Sequence, residues 1–399
     1  MNEEPVQPRT ALVRPAAAMF AVAWGANMFT PMLFVYSSAL NDTQTSVIFG
    51  AYALGLFPSL LAGPQLSDRL GRRSLMFAVA AVSVFGSTAL ILAGDSLFGL
   101  IAGRILVGMA AGAAFGPGTV WLNELSERYG SGRSTAVLTS VALTSGFAFG
   151  PLVTGALAQW LPLPSVMPYL VHIILVLIVT PLIRATPETA PARGATRELT
   201  AEVFTTLRSR TFLFLILPTA PWVFASVSAA IVVLPQSVSF GHTQALGSGA
   251  LAALTLMTGV AVQPVARRAT ARRLDVPTAF GLILLSVGLL VGGATIVTEA
   301  PLLLVLSALM LGAAYGFLLT TGLQAVQRIA KKPSRPLVTG IFYVLAYTGY
   351  TWPILTNSLS STIPKTTTFV ASAAICAATL LPVLLGRYGS KAQSPKPGP

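Results

Sequence analysis

The chain has little charge, one cysteine and two histidines. Asp, Glu, Lys and Arg together make up 9% of its 399 residues, against roughly 25% in a soluble domain. So little polar surface cannot cover a water-soluble body of this length, and the two or three soluble domains that length alone suggests are set aside. The lone Cys376 excludes an intramolecular disulfide and a cysteine metal cage. His172 and His242 stand far apart, so a clustered catalytic or metal centre is not expected. No Gly-x-x-x-x-Gly-Lys-[Ser/Thr] stretch occurs, which disfavours direct ATP drive within this chain. No cofactor is implied.

What the chain has instead is apolar length, with 54% hydrophobic residues. A helix needs about 20 predominantly apolar residues to cross a bilayer. Twelve such segments are expected, near 15–40, 46–66, 74–94, 97–122, 134–160, 165–183, 211–235, 244–266, 277–297, 301–326, 337–361 and 366–386. The first follows Arg9 and Arg14 as a secretory signal would. Its apolar stretch of about 25 residues exceeds the 7–15 of a signal core, so it reads as a mature spanning helix.

The loops alternate in charge. Twenty-three of the 25 Lys and Arg fall on one side of this twelve-span pattern; the exceptions are Lys365, in the last loop of the other side, and Arg104, inside the fourth span. Lys and Arg collect in cytoplasmic loops, so both termini are expected inside, in a bacterial inner membrane. The net charge of +13 comes as short clusters between apolar runs, not as one stripe, which argues against nucleic acid. The longest polar stretch divides the chain into a six-helix bundle over 1–184, a cytoplasmic linker over 185–210 and a second bundle over 211–386. A Pro/Gly/Ser/Lys-rich tail over 387–399 is expected to be disordered.

The halves repeat. Gly112-Ala-Ala-Phe-Gly116 returns as Gly312-Ala-Ala-Tyr-Gly316, Pro64 and Arg72-Arg73 return as Pro264 and Arg272-Arg273, and Pro151 and Thr154 meet Pro353 and Thr356. Between spans two and three stands GPQLSDRLGRR, residues 63–73; its counterpart QPVARRATARR has Arg268 in place of Asp68 and Ala271 in place of Gly71. An acid at this turn is therefore expected to be needed in the first half alone. Gly63 permits close helix approach and Gly71 a tight turn, while Asp68 can pair with Arg69, Arg72 or Arg73 or accept backbone N–H groups. A plain arginine cluster would suffice to hold the loop inside; the acid and the glycine do not follow from that.

These residues resemble the Gly-x-x-x-Asp-Arg-x-Gly-Arg-Arg loop of the major facilitator superfamily, whose members are twelve-helix transporters of two pseudo-symmetric six-helix bundles. The resemblance implies a cytoplasmic gate at Gly63, Asp68, Arg69, Gly71, Arg72 and Arg73. Gly146, Gly150, Pro151 and Gly155 of the fifth span resemble the Gly-x-x-x-Gly-Pro motif of the family's drug/proton antiporters, a helix-5 hinge; ordinary small-residue packing is the plainer reading. Arg104, about 10 Å into the fourth span at 1.5 Å per residue, sits where the family has an arginine implicated in proton coupling, while snorkelling to the headgroups is its plainer reading. His172 is a second coupling candidate, set against the commoner role of a hydrogen-bonded structural histidine. No acid lies in the middle of a span.

By the family's pattern, spans one, four, seven and ten line the cavity, making Trp24, Asn27, Phe29, Trp222 and Tyr315 substrate candidates. Few charges and many aromatics suit a neutral or hydrophobic small molecule. The expected function is proton-coupled efflux of such solutes by a monomer in a lipid bilayer, with no catalytic residues and no metal. An importer or facilitator of a neutral metabolite, and a non-transporting sensor or assembly partner, are the alternatives.

Overall fold

The computed structural model describes residues 8–129, 135–189, 199–331 and 334–386. Eleven helical stretches among them are long and apolar enough to cross a membrane. The twelfth crossing is the eleventh in order and is interrupted: Arg335–Tyr347, a 3-10 turn at Thr348–Tyr350, then Thr351–Leu359. The protein is thus an all-α membrane protein with twelve spans. The 387–399 tail lies outside the described residues.

Prolines set the breaks. Span one divides at Met28, between Pro8–Asn27 and Phe29–Tyr36. Pro31, three residues on, has no N–H to offer and crowds the carbonyl of Asn27. In span eleven Pro353 likewise frees the carbonyl of Gly349, and the Ser228 hydroxyl donates to it at 3.3 Å. Span seven carries two π turns, Phe212–Ile216 and Ala229–Val233, each followed two residues later by a proline, Pro218 or Pro235. The wider π register absorbs the bond each proline cannot make.

Several boundaries differ from expectation. Span two runs on to Leu70 and span three starts at Arg72, so the anticipated loop shrinks to Gly71, and Asp68 and Arg69 ride on a helix end. Span four reaches Tyr129, carrying Glu124 and Glu127 with it. The linker region also holds a helix, Leu199–Leu207, that hydropathy does not announce.

The repeat has a packing basis. A Cβ at Gly112 would lie 2.6 Å from the Leu56 carbonyl oxygen of span two; one at Gly312 would lie 2.3 Å from the Thr255 carbonyl oxygen of span eight. Both residues seat span four or ten on the second helix of its own half. The counterparts Gly116 and Gly316 part company, since only Gly316 is pressed against its neighbour, at the Gly259 carbonyl. Between halves, span five packs along span eight and span two along span eleven.

Candidate functional site

Spans two and four cross nearly backbone to backbone. A methyl at Gly55 would come within 1.9 Å of the Ile105 carbonyl oxygen, and at Gly108 within 2.0 Å of that of Tyr52. The crossing sets Arg104 between spans one and two, 1% exposed. Its guanidinium carbon lies 4.6 Å from the ring centre of Phe29, 4.8 Å from Tyr52 and 5.9 Å from Phe49. It donates to the carbonyls of Ala26 at 3.3 Å and Phe49 at 3.5 Å, both long for such bonds. Its Nε has no acceptor. No carboxylate among the described residues pairs with it.

The rings over Arg104 continue into the other half. Phe49 meets Tyr350 at 4.8 Å between ring centres, and Tyr52 meets Tyr347 at 6.3 Å. Phe224 of span seven stacks on Tyr347 at 3.9 Å and approaches Tyr315 of span ten at 5.7 Å. An aromatic cluster thus bridges the halves in the interior, with Arg104 behind its first-half wall. Phe29 and Tyr315 were foreseen; Phe49, Tyr52, Phe224, Tyr347 and Tyr350 were not, although all are aromatics within spans.

The other candidates lie around this centre. Trp24 is buried against Phe20 with its Nε1 unpartnered. Asn27 and Trp222 are half-buried. His172 is enclosed: its Nε2 lies 3.1 Å from the Ala21 carbonyl oxygen and its Nδ1 2.8 Å from the Ser87 hydroxyl. Since a carbonyl only accepts, Nε2 donates and Nδ1 accepts from Ser87, leaving the neutral ring fully bonded. The glycines of span five divide their work. Gly146 and Gly150 press on the carbonyls of Phe20 and Trp24, whereas Gly155 faces the Ala245 carbonyl of span eight, across the halves. The helix runs unbroken past Pro151, whose carbonyl abuts Gly249.

At the arginine-rich end, Arg72 is the hub and is 5% exposed. It donates to Asp68 at 2.6 Å, to Ser67 at 2.7 Å, and to both oxygens of Glu124 at 2.9 and 3.2 Å. Glu188, from the start of the linker, accepts the backbone N–H of Arg72 at 2.7 Å and of Arg73 at 3.1 Å. A carboxylate there meets the positive end of span three. Gly71, at φ 90°, leaves room for it, since a Cβ would lie 2.7 Å from that carboxylate. Thr189 donates to Glu124, Trp121 to the Pro187 carbonyl and Arg128 to that of Glu188. Arg69 is exposed, and Gly63 packs on Ala113. Glu188 escaped the sequence reading because it stands 116 positions from Arg72.

The second half also carries an acid near its matching turn, though not at the position of Asp68. Asp275, 4% exposed in the first turn of span nine, accepts from Arg273, so the acid is displaced along the chain instead of absent.

At the opposite end the polar contacts join the halves. Lys365 donates to Asp42 at 2.8 Å. The Asn357 amide donates to Ser46 at 2.8 Å, to Gln236 at 2.9 Å and to the Asp42 carbonyl at 3.3 Å. Gln236 donates to Thr45 at 3.2 Å, and Gln159 to the His242 carbonyl at 2.6 Å. This end is latched shut between halves.

Known proteins bear on this arrangement. The sequence model described as Major Facilitator Superfamily matches residues 16–352. A glucose transporter, GlcP of Staphylococcus epidermidis, is 32% identical over 130 residues, 32% of this chain and 28% of that relative's length. The match therefore spans under a third of that protein. Among solved structures, an auto-inhibited POT family peptide transporter superposes with TM-score 0.76 at 14% identity, over 99% of each chain. A POT family transporter in complex with 5-aminolevulinic acid gives 0.75 at 14%, over 94% of this chain and 95% of that one. The nucleoside transporter NupG gives 0.71 at 11%, over 96% and 99%. Twelve spans in two repeated halves, with the family's model matching most of the chain, make this protein a secondary transporter, not an enzyme, belonging to the major facilitator superfamily.

Proposed function

We propose that the chain exports hydrophobic or neutral small molecules by alternating access, using the proton gradient. The observation that carries this reading is the aromatic cluster of Phe49, Tyr52, Phe224, Tyr347 and Tyr350 at the junction of the halves. Such a surface binds a lipophilic body through apolar area with a few phenol contacts. The halves, 1–184 and 211–386, pivot about it, with 185–210 as the tether. The arginine-rich end and both termini face the cytoplasm of a bacterial inner membrane, and one chain suffices. The latched end is then external, and the Arg72 hub holds spans two, three and four together as the first half's side of the cytoplasmic gate. The fifth-span glycines, with their likeness to the antiporter motif, favour export.

The test is reconstitution into liposomes, with a panel of lipophilic dyes and neutral metabolites and an imposed pH gradient. Solute movement opposite to proton flow is the expected result. Movement with the protons would reverse the direction, and flux indifferent to the gradient would remove the coupling. A second reading, a facilitator of a neutral metabolite, is favoured by two observations: among the described residues no carboxylate pairs with Arg104, and His172 is fully bonded.

A further inference from the structure

Arg104 stands out among the buried groups. A guanidinium has five N–H donors and stays protonated. Here two long bonds go to helix carbonyls and the Nε has no acceptor. The faces of Phe29, Tyr52 and Phe49 shelter the cation, but a ring face supplies no oxygen to receive those donors. A buried charge ordinarily has a partner of opposite sign, and the described residues provide none. Tyr52, over the guanidinium, and its ring neighbours Tyr347 and Tyr350 carry phenol groups, and a phenol O–H can donate to an anion. No acid in the cluster would repel one.

The cover over Arg104 is also the seam between halves. Phe49 and Tyr52 carry the contacts to Tyr350 and Tyr347. Any motion that parts the halves at this seam strips the second-half rings from that cover and leaves the Phe49 and Tyr52 side chains as the remaining screen between a solute in the cluster and the guanidinium.

We propose that Arg104 is an anion-binding subsite, and that the hydrophobic solute carries a single carboxylate. The apolar body lies among the aromatic rings and the carboxylate accepts from the Arg104 fork, whose planar donors match its two oxygens. This rests on the aromatic cluster being the solute site and narrows the solute class to lipophilic monocarboxylates.

The test uses the purified full chain and a matched pair of probes, 4-phenylbutyrate and its neutral isostere 4-phenylbutanamide, with sodium chloride as a third arm. Binding is read from ligand-dependent thermal stabilisation in the millimolar range. The carboxylate should bind about tenfold more tightly than the amide, the scale of a charge-assisted bond. Arg104→Gln should erase that preference. Arg104→Lys, which keeps the charge without the fork, should retain a weaker one and covers the case in which the Gln variant fails to fold. Equal binding of acid and amide by the native chain, no saturable effect of the acid, or an unchanged preference in either variant would each overturn the proposal. So would an effect of chloride equal to that of the acid, which would assign the subsite to a free anion. Tyr347→Ala separates the two readings. It should weaken acid and amide alike; if it changes neither while Arg104→Gln removes the preference, the cluster reading fails and the anion subsite stands.

Discussion

The two ends of the molecule are held in opposite ways. At the arginine-rich end the charged network centred on Arg72 draws its partners from the first half and the beginning of the linker: Asp68, Glu124 and Glu188. At the other end Asp42, Ser46 and Thr45 of the first half meet Lys365, Asn357 and Gln236 of the second. One network therefore braces a bundle, while the other spans the seam that parts under the proposed cycle. Stability and conformational balance should be separable by mutation.

The largest effect is expected from Arg72→Ala. It removes a nearly buried guanidinium that bonds both oxygens of Glu124, and leaving one member of such a pair costs about 3–5 kcal/mol. Glu124 is partly exposed, so the lower figure is the expectation. Thermal unfolding in detergent should fall by several degrees, with or without solute. Asn357→Ala comes next. Its amide makes three bonds across or beside the seam, and stranding such buried partners costs about 1–3 kcal/mol. Labelling of a cysteine placed at Thr45 should speed up, while unfolding shifts less than in the Arg72 variant. Lys365→Ala removes an ion pair whose Asp42 side chain is partly exposed, worth about 1 kcal/mol. It should nudge the same labelling rate upward and leave melting almost unchanged. Arg69→Gln, at an exposed position, should alter stability by less than about 0.5 kcal/mol. If Asn357→Ala lowered melting more than Arg72→Ala, the contrast between the ends would collapse.

Much of the fold was legible because its signals are local. Apolar runs mark spans, and arginine alternation orders them. The exception Lys365 is informative afterwards: the one basic residue in a loop of the arginine-poor side is the one that pairs with Asp42. Pro31 and Pro353 were visible, but no single position announces that a helix divides at Met28 or Thr348, since the break depends on how the freed carbonyl is satisfied. The site was less legible. Phe29, Tyr315 and Arg104 could be picked out by span and depth. The rest of the cluster is fixed by which faces of spans two, seven and eleven meet, and this follows from close crossings such as Gly349 on the Pro221 carbonyl and Gly50 on Ile354. Asp42 and Lys365 are 323 positions apart, a pairing that no periodicity encodes. Glu188 belongs to the same class.

The central claim is that the two halves move against each other about the aromatic seam. Spin labels in a Cys376→Ser background would report it, one pair at Ser38 and Ser360 on the latched end and one at Glu127 and Gln327 on the arginine-rich end. All four positions are exposed. Pulsed distance measurements on the native seam and on the Asn357→Ala variant should show the first pair lengthening as the second shortens. Distances that stay fixed at both ends, or that change in the same direction, would contradict the account.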